Sequence, residues 1–253
     1  MNRRIVRYVV LIGIAVSVYY IGTALYRKYQ RSLASFVDAH RSWPTKDLLD
    51  GEPFHDDFDG IDISEYQGNI HWDMVGDGER EPKFIYVRAI GKRGRLDKEY
   101  DRMAQNIHEM KIPMGSYIFF HNETSVEHQY EQFCKMLDSA PQELIPMIDI
   151  EERSIRRSKA NLKENVKKLA DMLEEKYDTK PIIYSNEKFY EDYLAPDFND
   201  YPLWIANYTG RPEIEDAEPI IWQYSEKGHV KGFWTTVDLD MFINGSGLSD
   251  LEL

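Results

Sequence analysis

Two carboxylates stand two residues apart where an apolar run ends: Asp149 and Glu151 in "IPMIDIEE", residues 145–152. In an extended strand, residues i and i+2 point to the same side, so these acids share one face. Carboxylates held that close do not both ionise cheaply, and one keeps its proton to higher pH. That is what a general acid needs near neutrality. Glu151 has the longer reach and lies farther out, so the proton is assigned to it, with Asp149 as the charged neighbour that tunes and orients it. The alternative is that both acids cap a helix starting near Ser154.

The i, i+2 arrangement recurs at Asp62 and Ser64 in "GIDIS" and at Asp238 and Asp240 in "VDLDMF". In a closed barrel the first and last strands are neighbours and their inward ends converge. Asp62, Asp149, Glu151 and Asp238 would then line one mouth as the catalytic set. Tyr66, Tyr117, Tyr184, Trp204 and Trp222 lie in or just after the same strands. Sugar rings present apolar C–H faces that stack on such side chains. These aromatics, with Asp240, form the expected substrate-binding set, with core packing as the alternative for at least two of the five, while Trp72 reads as packing.

The elements that must hold these residues are short apolar runs alternating with amphipathic ones. Strands are predicted at 60–64, 83–90, 114–120, 144–150, 181–185, 202–207, 219–225 and 237–242, and helices near 98–110, 125–138, 155–177 and 187–194. The longest helix places Leu162, Val166, Leu169, Met172 and Leu173 on one face. Eight strands interleaved with helices predict an α/β fold with a parallel sheet closed as a TIM-barrel-like (β/α) barrel. It should be irregular in its second half, because helices are scarce after about residue 200.

The chain has 253 residues and a net charge of −13, with 42% hydrophobic and 13% aromatic residues, enough to fill a core. Residues 1–50 carry net +5, and the remainder holds 23 basic against 41 acidic residues. So acidic a domain would repel phosphates, which argues against nucleic-acid binding. Cys134 is the single cysteine, so there is no internal disulfide. Residues 8–26 are nineteen in number and uncharged, and as a helix they span roughly 28 Å, close to a hydrocarbon core. Arg3, Arg4 and Arg7 precede this run, and Arg27, Lys28 and Arg31 follow it. The expected organisation is a membrane anchor with basic flanks at 1–31, a juxtamembrane stalk at 32–57, and a catalytic barrel at 58–253. A cleavable signal peptide is the rival, although its apolar region would be shorter. There is no H-x-x-x-H pair, no Cys/His cluster and no Walker loop, so neither metal nor cofactor is expected.

Several segments in register resemble the glycoside hydrolase family 25 muramidases. "GIDISEYQGNIHW" is similar to that family's opening strand and G-x-I-D-W turn, and "IPMIDIE" to its P-x-L-D-x-E strand. "YPLWIANY" and "IIWQYSEKGHVKGFWTTVDLDMF" resemble its L-W-x-A-x-Y and W-Q-Y…V-D-x-x-x-F segments. The resemblance runs from about residue 58 to 243. It implies an irregular α/β barrel that hydrolyses the β-1,4 bond between N-acetylmuramic acid and N-acetylglucosamine in peptidoglycan strands. Asp62, Asp149, Glu151 and Asp238 would be its acidic set, with Glu151 the acid/base. The chain departs from the pattern at His71, at Ile90 and Gly91 in "RAIGK", and at Ile118 in "GSYIFF". These departures bear on substrate fit, because the replaced polar groups are expected near the cleft. "GKRGR" (91–95) reads as a solvated turn within reach of a peptidoglycan carboxylate. The expected setting is a single-pass membrane protein with its barrel exported. Two alternatives stand beside this reading: a tethered glycan-binding protein with weak or no catalysis, and a barrel glycosidase acting on another N-acetylated glycan.

Overall fold

The computed structural model describes residues 57–76 and 81–253. In chain order its strands are β1 (Gly60–Ile63), β2 (Phe84–Gly91), β3 (Arg95–Leu96), β4 (Met114–Phe119), β5 (Met147–Asp149), β6 (Ile182–Asn186), β7 (Leu203–Ala206), β8 (Ile221–Gly228) and β9 (Val237–Phe242). The helices between β3 and β7 are α1 (Tyr100–Met110), α2 (Val126–Leu137), α3 (Lys159–Tyr177) and α4 (Glu187–Phe189), the last continued by a π-helical turn over Tyr190–Leu194.

Strands β1, β2, β4, β5, β6, β7 and β8 pair in parallel, each with the next. Strand β9 is antiparallel to both β8 and β1 and closes an eight-stranded ring. Strand β3 is a short antiparallel partner of the end of β2, inside the segment read from sequence as a solvated turn. The α/β barrel is therefore present and irregular, as expected, with one correction: its sheet is not wholly parallel. An antiparallel neighbour can be joined without a crossover helix, as β8 and β9 are, while the parallel pair β7 and β8 is joined by an irregular connection.

Alternation along the strands sorts the core into two layers. Inside the ring lie Phe84, Tyr86, Met147, Ile182, Trp204 and Ile221. Between the sheet and the helices lie Ile85, Val87, Ile118, Ile148, Ile183 and Ile205, packed with Leu162, Val166, Leu169 and Leu173 of α3. The interior is filled mainly by rings: Trp204 meets Tyr86 edge-on at 5.1 Å and Phe84 at 5.8 Å between centroids. Two inward glycines leave room for them. A Cβ added at Gly60 would lie 2.2 Å from the Phe84 ring, and one at Gly115 would lie 2.4 Å from the Tyr86 ring.

Helix α3 begins at Lys159, later than the predicted 155, because the Ser158 hydroxyl accepts from the Asn161 N–H at 3.1 Å and forms the N-cap. Asp149 and Glu151 therefore do not cap it, which removes the structural alternative for that pair. Strand β5 is shorter than the predicted run, since Pro146 lacks the N–H that a ladder needs. The anchor at 1–31, with its span at 8–26, and all of the stalk at 32–57 except Asp57 lie outside the described residues. Among the described residues no helix is long and apolar enough to cross a membrane.

Gly115→Ala should destabilise the barrel by about 1–3 kcal/mol, because the added methyl displaces the Tyr86 ring. That shift also strains the bond from the Tyr86 hydroxyl to the Ile145 carbonyl, 2.9 Å long. Urea unfolding of the two proteins measures the difference, and equal midpoints would show that the interior is not tightly packed there.

Candidate active site

The parallel strands all end on one side of the ring, and β9, running the other way, begins there. Asp62 near the end of β1 is in register with Asp238 near the start of β9. Asp149, the last residue of β5, is flanked in register by Phe119 of β4 and Tyr184 of β6. Asp62, Asp149, Glu151 and Asp238 consequently line a single cavity of about 230 Å³, together with Tyr66, Tyr117 and Tyr184. The placement of Asp238 corrects one detail of the sequence reading: it reaches the mouth from the beginning of its strand rather than the end.

A polar network fixes these groups. The Gln223 amide donates from Nε2 to Asp62 Oδ2 at 2.7 Å. Its Oε1 accepts from the hydroxyls of Tyr184 and Tyr208, each at 2.8 Å. Tyr184 Oη also lies 3.5 Å from Glu151 Oε1. On the opposite wall Arg88 donates to Asp97 Oδ2 through Nε (3.1 Å) and Nη2 (2.9 Å), and its guanidinium lies 4.5 Å from the centre of the Tyr66 ring. Asp97 is spaced from the chain by its own bonds to the Glu65 and Glu99 N–H groups. Lys92 pairs with Glu152 at 2.5 Å and lies over the Phe119 ring.

The environment pushes the acidic groups upward. Burial is the first cause at Asp62, followed by the charge of Asp238. At Asp149 burial again leads, then Glu151 and Asp62, partly opposed by Lys92 and Arg88. One Asp149 oxygen, Oδ1, is buried without a hydrogen-bond partner. Burial raises Glu151, while Lys92 pulls it back. Asp238 rises from 3.8 to about 7 through burial, then Glu226 and Glu151. Asp149 is thus not the plainly charged member expected from sequence. The buried carboxyls share protons as a group.

Three expected substrate contacts do not reach the cavity. Trp204 and Asp240 are fully buried inside the ring, one layer below the mouth, where the indole N–H donates to Asp240 Oδ1 at 3.1 Å. Burial, then the charges of Asp62 and Asp238, pushes Asp240 upward as well. Trp222 lies on the opposite strand face from Gln223 and donates its indole N–H to the Asn207 carbonyl at 2.7 Å. Tyr66 is 68% exposed and Tyr208 is 49% exposed.

Sequence reading missed Gln223, Tyr208 and Arg88, and took Lys92 only as part of the "GKRGR" turn. Alternation was the available signal for two of them, since Gln223 follows inward Ile221 by two residues and Arg88 follows inward Tyr86. Tyr208 closes the quoted "YPLWIANY". Nothing local marks Asp97 as the partner of Arg88. The departures are also relocated. Ile90 and Ile118 are buried between sheet and helices rather than at the mouth. Gly91 adjoins Arg88, whose Nε would lie 3.2 Å from a Cβ there. His71 is placed in the β1–β2 connection, its ring 5.4 Å from that of Trp234.

An α/β barrel whose mouth gathers buried carboxyls and exposed phenols has the makings of a glycoside hydrolase. The family model for glycosyl hydrolases family 25 matches residues 61–233, and the chain belongs to that family. Protein YegX of Escherichia coli is 32% identical over 191 residues, 74% of this chain and 70% of its own. The autolytic lysozyme of Clostridium acetobutylicum is 30% identical over 188 residues, 74% of this chain and 56% of its own. A family 25 glycosyl hydrolase of Bacillus anthracis superposes with a TM-score of 0.66 at 24% identity, covering 78% of this chain and 94% of that one.

Between 3.8 and about 7 the folded chain holds a proton on Asp238 that the unfolded chain has released. Stability from this group therefore falls as pH rises through that window and is fully lost above it. Asp238→Asn should flatten the decline between about pH 4 and about pH 7 in denaturant titrations. An unchanged slope would mean that Asp238 titrates normally.

Proposed function

We propose that the chain is a membrane-anchored N-acetylmuramidase that cleaves the β-1,4 bond between N-acetylmuramic acid and N-acetylglucosamine of peptidoglycan. The observation that carries this reading is the meeting of Glu151 with Asp62, Asp149 and Asp238 in one cavity of a family 25 barrel. The autolytic lysozyme among its relatives supports the same chemistry.

Glu151, whose hold on its proton burial strengthens, gives that proton to the bridging oxygen as the C1–O bond breaks, and the departing sugar leaves with a hydroxyl. Positive charge growing at C1 is met by the neighbouring carboxylates. C1 is then attacked by a water that loses its proton to a carboxylate, or by the substrate's own 2-acetamido oxygen, oriented by Asp149 or Asp238. In the second case water, giving its proton to Glu151, next attacks C1 and breaks the bond to the acetamido oxygen. Tyr184 gives its single hydrogen to Gln223, the shorter contact, and so turns a lone pair toward Glu151. Tyr66 and Tyr208 offer ring faces to the sugars. Residues 8–26, with their basic flanks, would hold the barrel on the outer side of the membrane, where peptidoglycan is found.

Glu151→Gln should lower the release of reducing ends from purified peptidoglycan by about 10²–10⁴-fold with the fold intact by circular dichroism. Undiminished activity would remove Glu151 from the acid role. A wild-type protein that binds peptidoglycan without ever cleaving it would favour the tethered glycan-binding alternative. Deleting residues 1–31 should move the protein from the membrane to the soluble fraction after cell lysis, and a chain that stays with the membrane would refute the anchor.

A further inference from the structure

Lys92 is shared between the catalytic cavity and a second one beside it, of about 420 Å³. The second cavity lies between two segments of unusual charge. From residue 51 onward the chain holds 23 basic and 41 acidic residues, yet 88–95 and 153–159 together carry eight of those basic residues and no acid. Lys92 and Arg93 line the cavity from one segment, and Arg153 and Ile155 from the other. Its two acids are already engaged: Glu152 pairs with Lys92 at 2.5 Å, and Glu123 accepts from the Ser154 hydroxyl at 2.6 Å. That hydroxyl, with Arg156 and Arg157 nearby, holds Glu123 below its ordinary value. Arg153 is positioned over the Tyr193 ring, 5.3 Å from its centre, which orients it without neutralising it. Among the described residues neither Arg93 nor Arg153 forms an ion pair. Asn122, which is 3% exposed, also lines the cavity. Its Oδ1 accepts from Asn165 at 2.9 Å, while its Nδ2 has no partner. An unpaired buried donor of this kind is uncommon and leaves a hydrogen available to an acceptor that enters the cavity.

We infer that this second cavity binds the free carboxylates of the peptide that peptidoglycan carries on its muramic acid, so that the protein selects peptide-bearing glycan. The inference rests on the muramidase reading above. The occupant follows from contiguity. When glycan fills the catalytic cavity, a group entering through the shared wall at Lys92 is one attached to that glycan. On this polymer the attached group with free carboxylates is a short peptide rich in alanine. Arg93 and Arg153 suit its carboxylates, and the side chain of Ile155, which is 91% exposed at the rim, suits its methyl groups.

The test compares two substrates, peptidoglycan glycan strands bearing their peptides and the same strands stripped by an amidase. The wild type should show a kcat/KM about tenfold higher on the peptide-bearing form, and that preference should shrink as salt is raised. The double variant Arg93→Glu with Arg153→Glu should lose the preference while cleaving stripped strands at the wild-type rate, which also shows that it is folded. Equal wild-type rates on both substrates would overturn the inference, as would an equal loss on both in the double variant. So would a preference that follows a phosphate polymer on the wall instead of the peptide. Failure of the wild type to cleave either substrate is a different result: it would sink the muramidase reading and the inference with it.

Discussion

The mouth of the barrel depends on one amide. Gln223 donates to Asp62 and accepts from Tyr184 and Tyr208, so two other strands and a loop meet at its two polar atoms. In this orientation the amide oxygen takes the hydrogens of both phenols and the amide N–H is given to Asp62, so every member of the set is satisfied. Asp62 is thereby held in place, and the Tyr184 hydroxyl is turned so that its remaining lone pair faces Glu151. In a buried setting such a chain of bonds rigidifies its members more than each pair would alone.

Around that amide the difficulty is electrostatic. Asp62, Asp149, Glu151 and Asp238 share a buried cavity, and Asp240 lies beneath them. Like charges in low dielectric are expensive, and the group responds by retaining protons. Two cations moderate this response. Arg88 is fixed by Asp97 and by stacking on Tyr66, and the absence of a side chain at Gly91 leaves its guanidinium room. Lys92 stands at the other wall, pulling Glu151 and Asp149 back toward ionisation. Arg88 and Lys92 of "RAIGK" therefore supply positive charge to the mouth, while the departures at Ile90 and Ile118 fill the layer beneath the helices.

Alternation explains both the success and the errors of reading the strands one at a time. On β9 it puts Asp238 and Asp240 on one face, and on β7 it turns Trp204 inward. It does not say how deep each residue sits. Depth follows from strand direction and register: β9 enters at the mouth, so Asp238 lies high and Asp240 one layer lower, against Trp204. The aromatic residues divide the same way, with Trp204 filling the ring and Tyr66 and Tyr208 left for solvent or sugar.

By itself, the sequence determined the strands, their inward and outward faces, the main helices, the barrel class and the acids that could act, because alternation, apolar runs and paired carboxylates are local properties of the chain. Only the tertiary structure decided that β9 runs antiparallel, that Asp97 holds Arg88, that Gln223 binds the mouth together, and that Asp149 shares in the raised proton affinity. Each of those depends on partners far apart in the chain and on the burial they create together, and no local pattern encodes the dielectric or the distance at which distant charges meet.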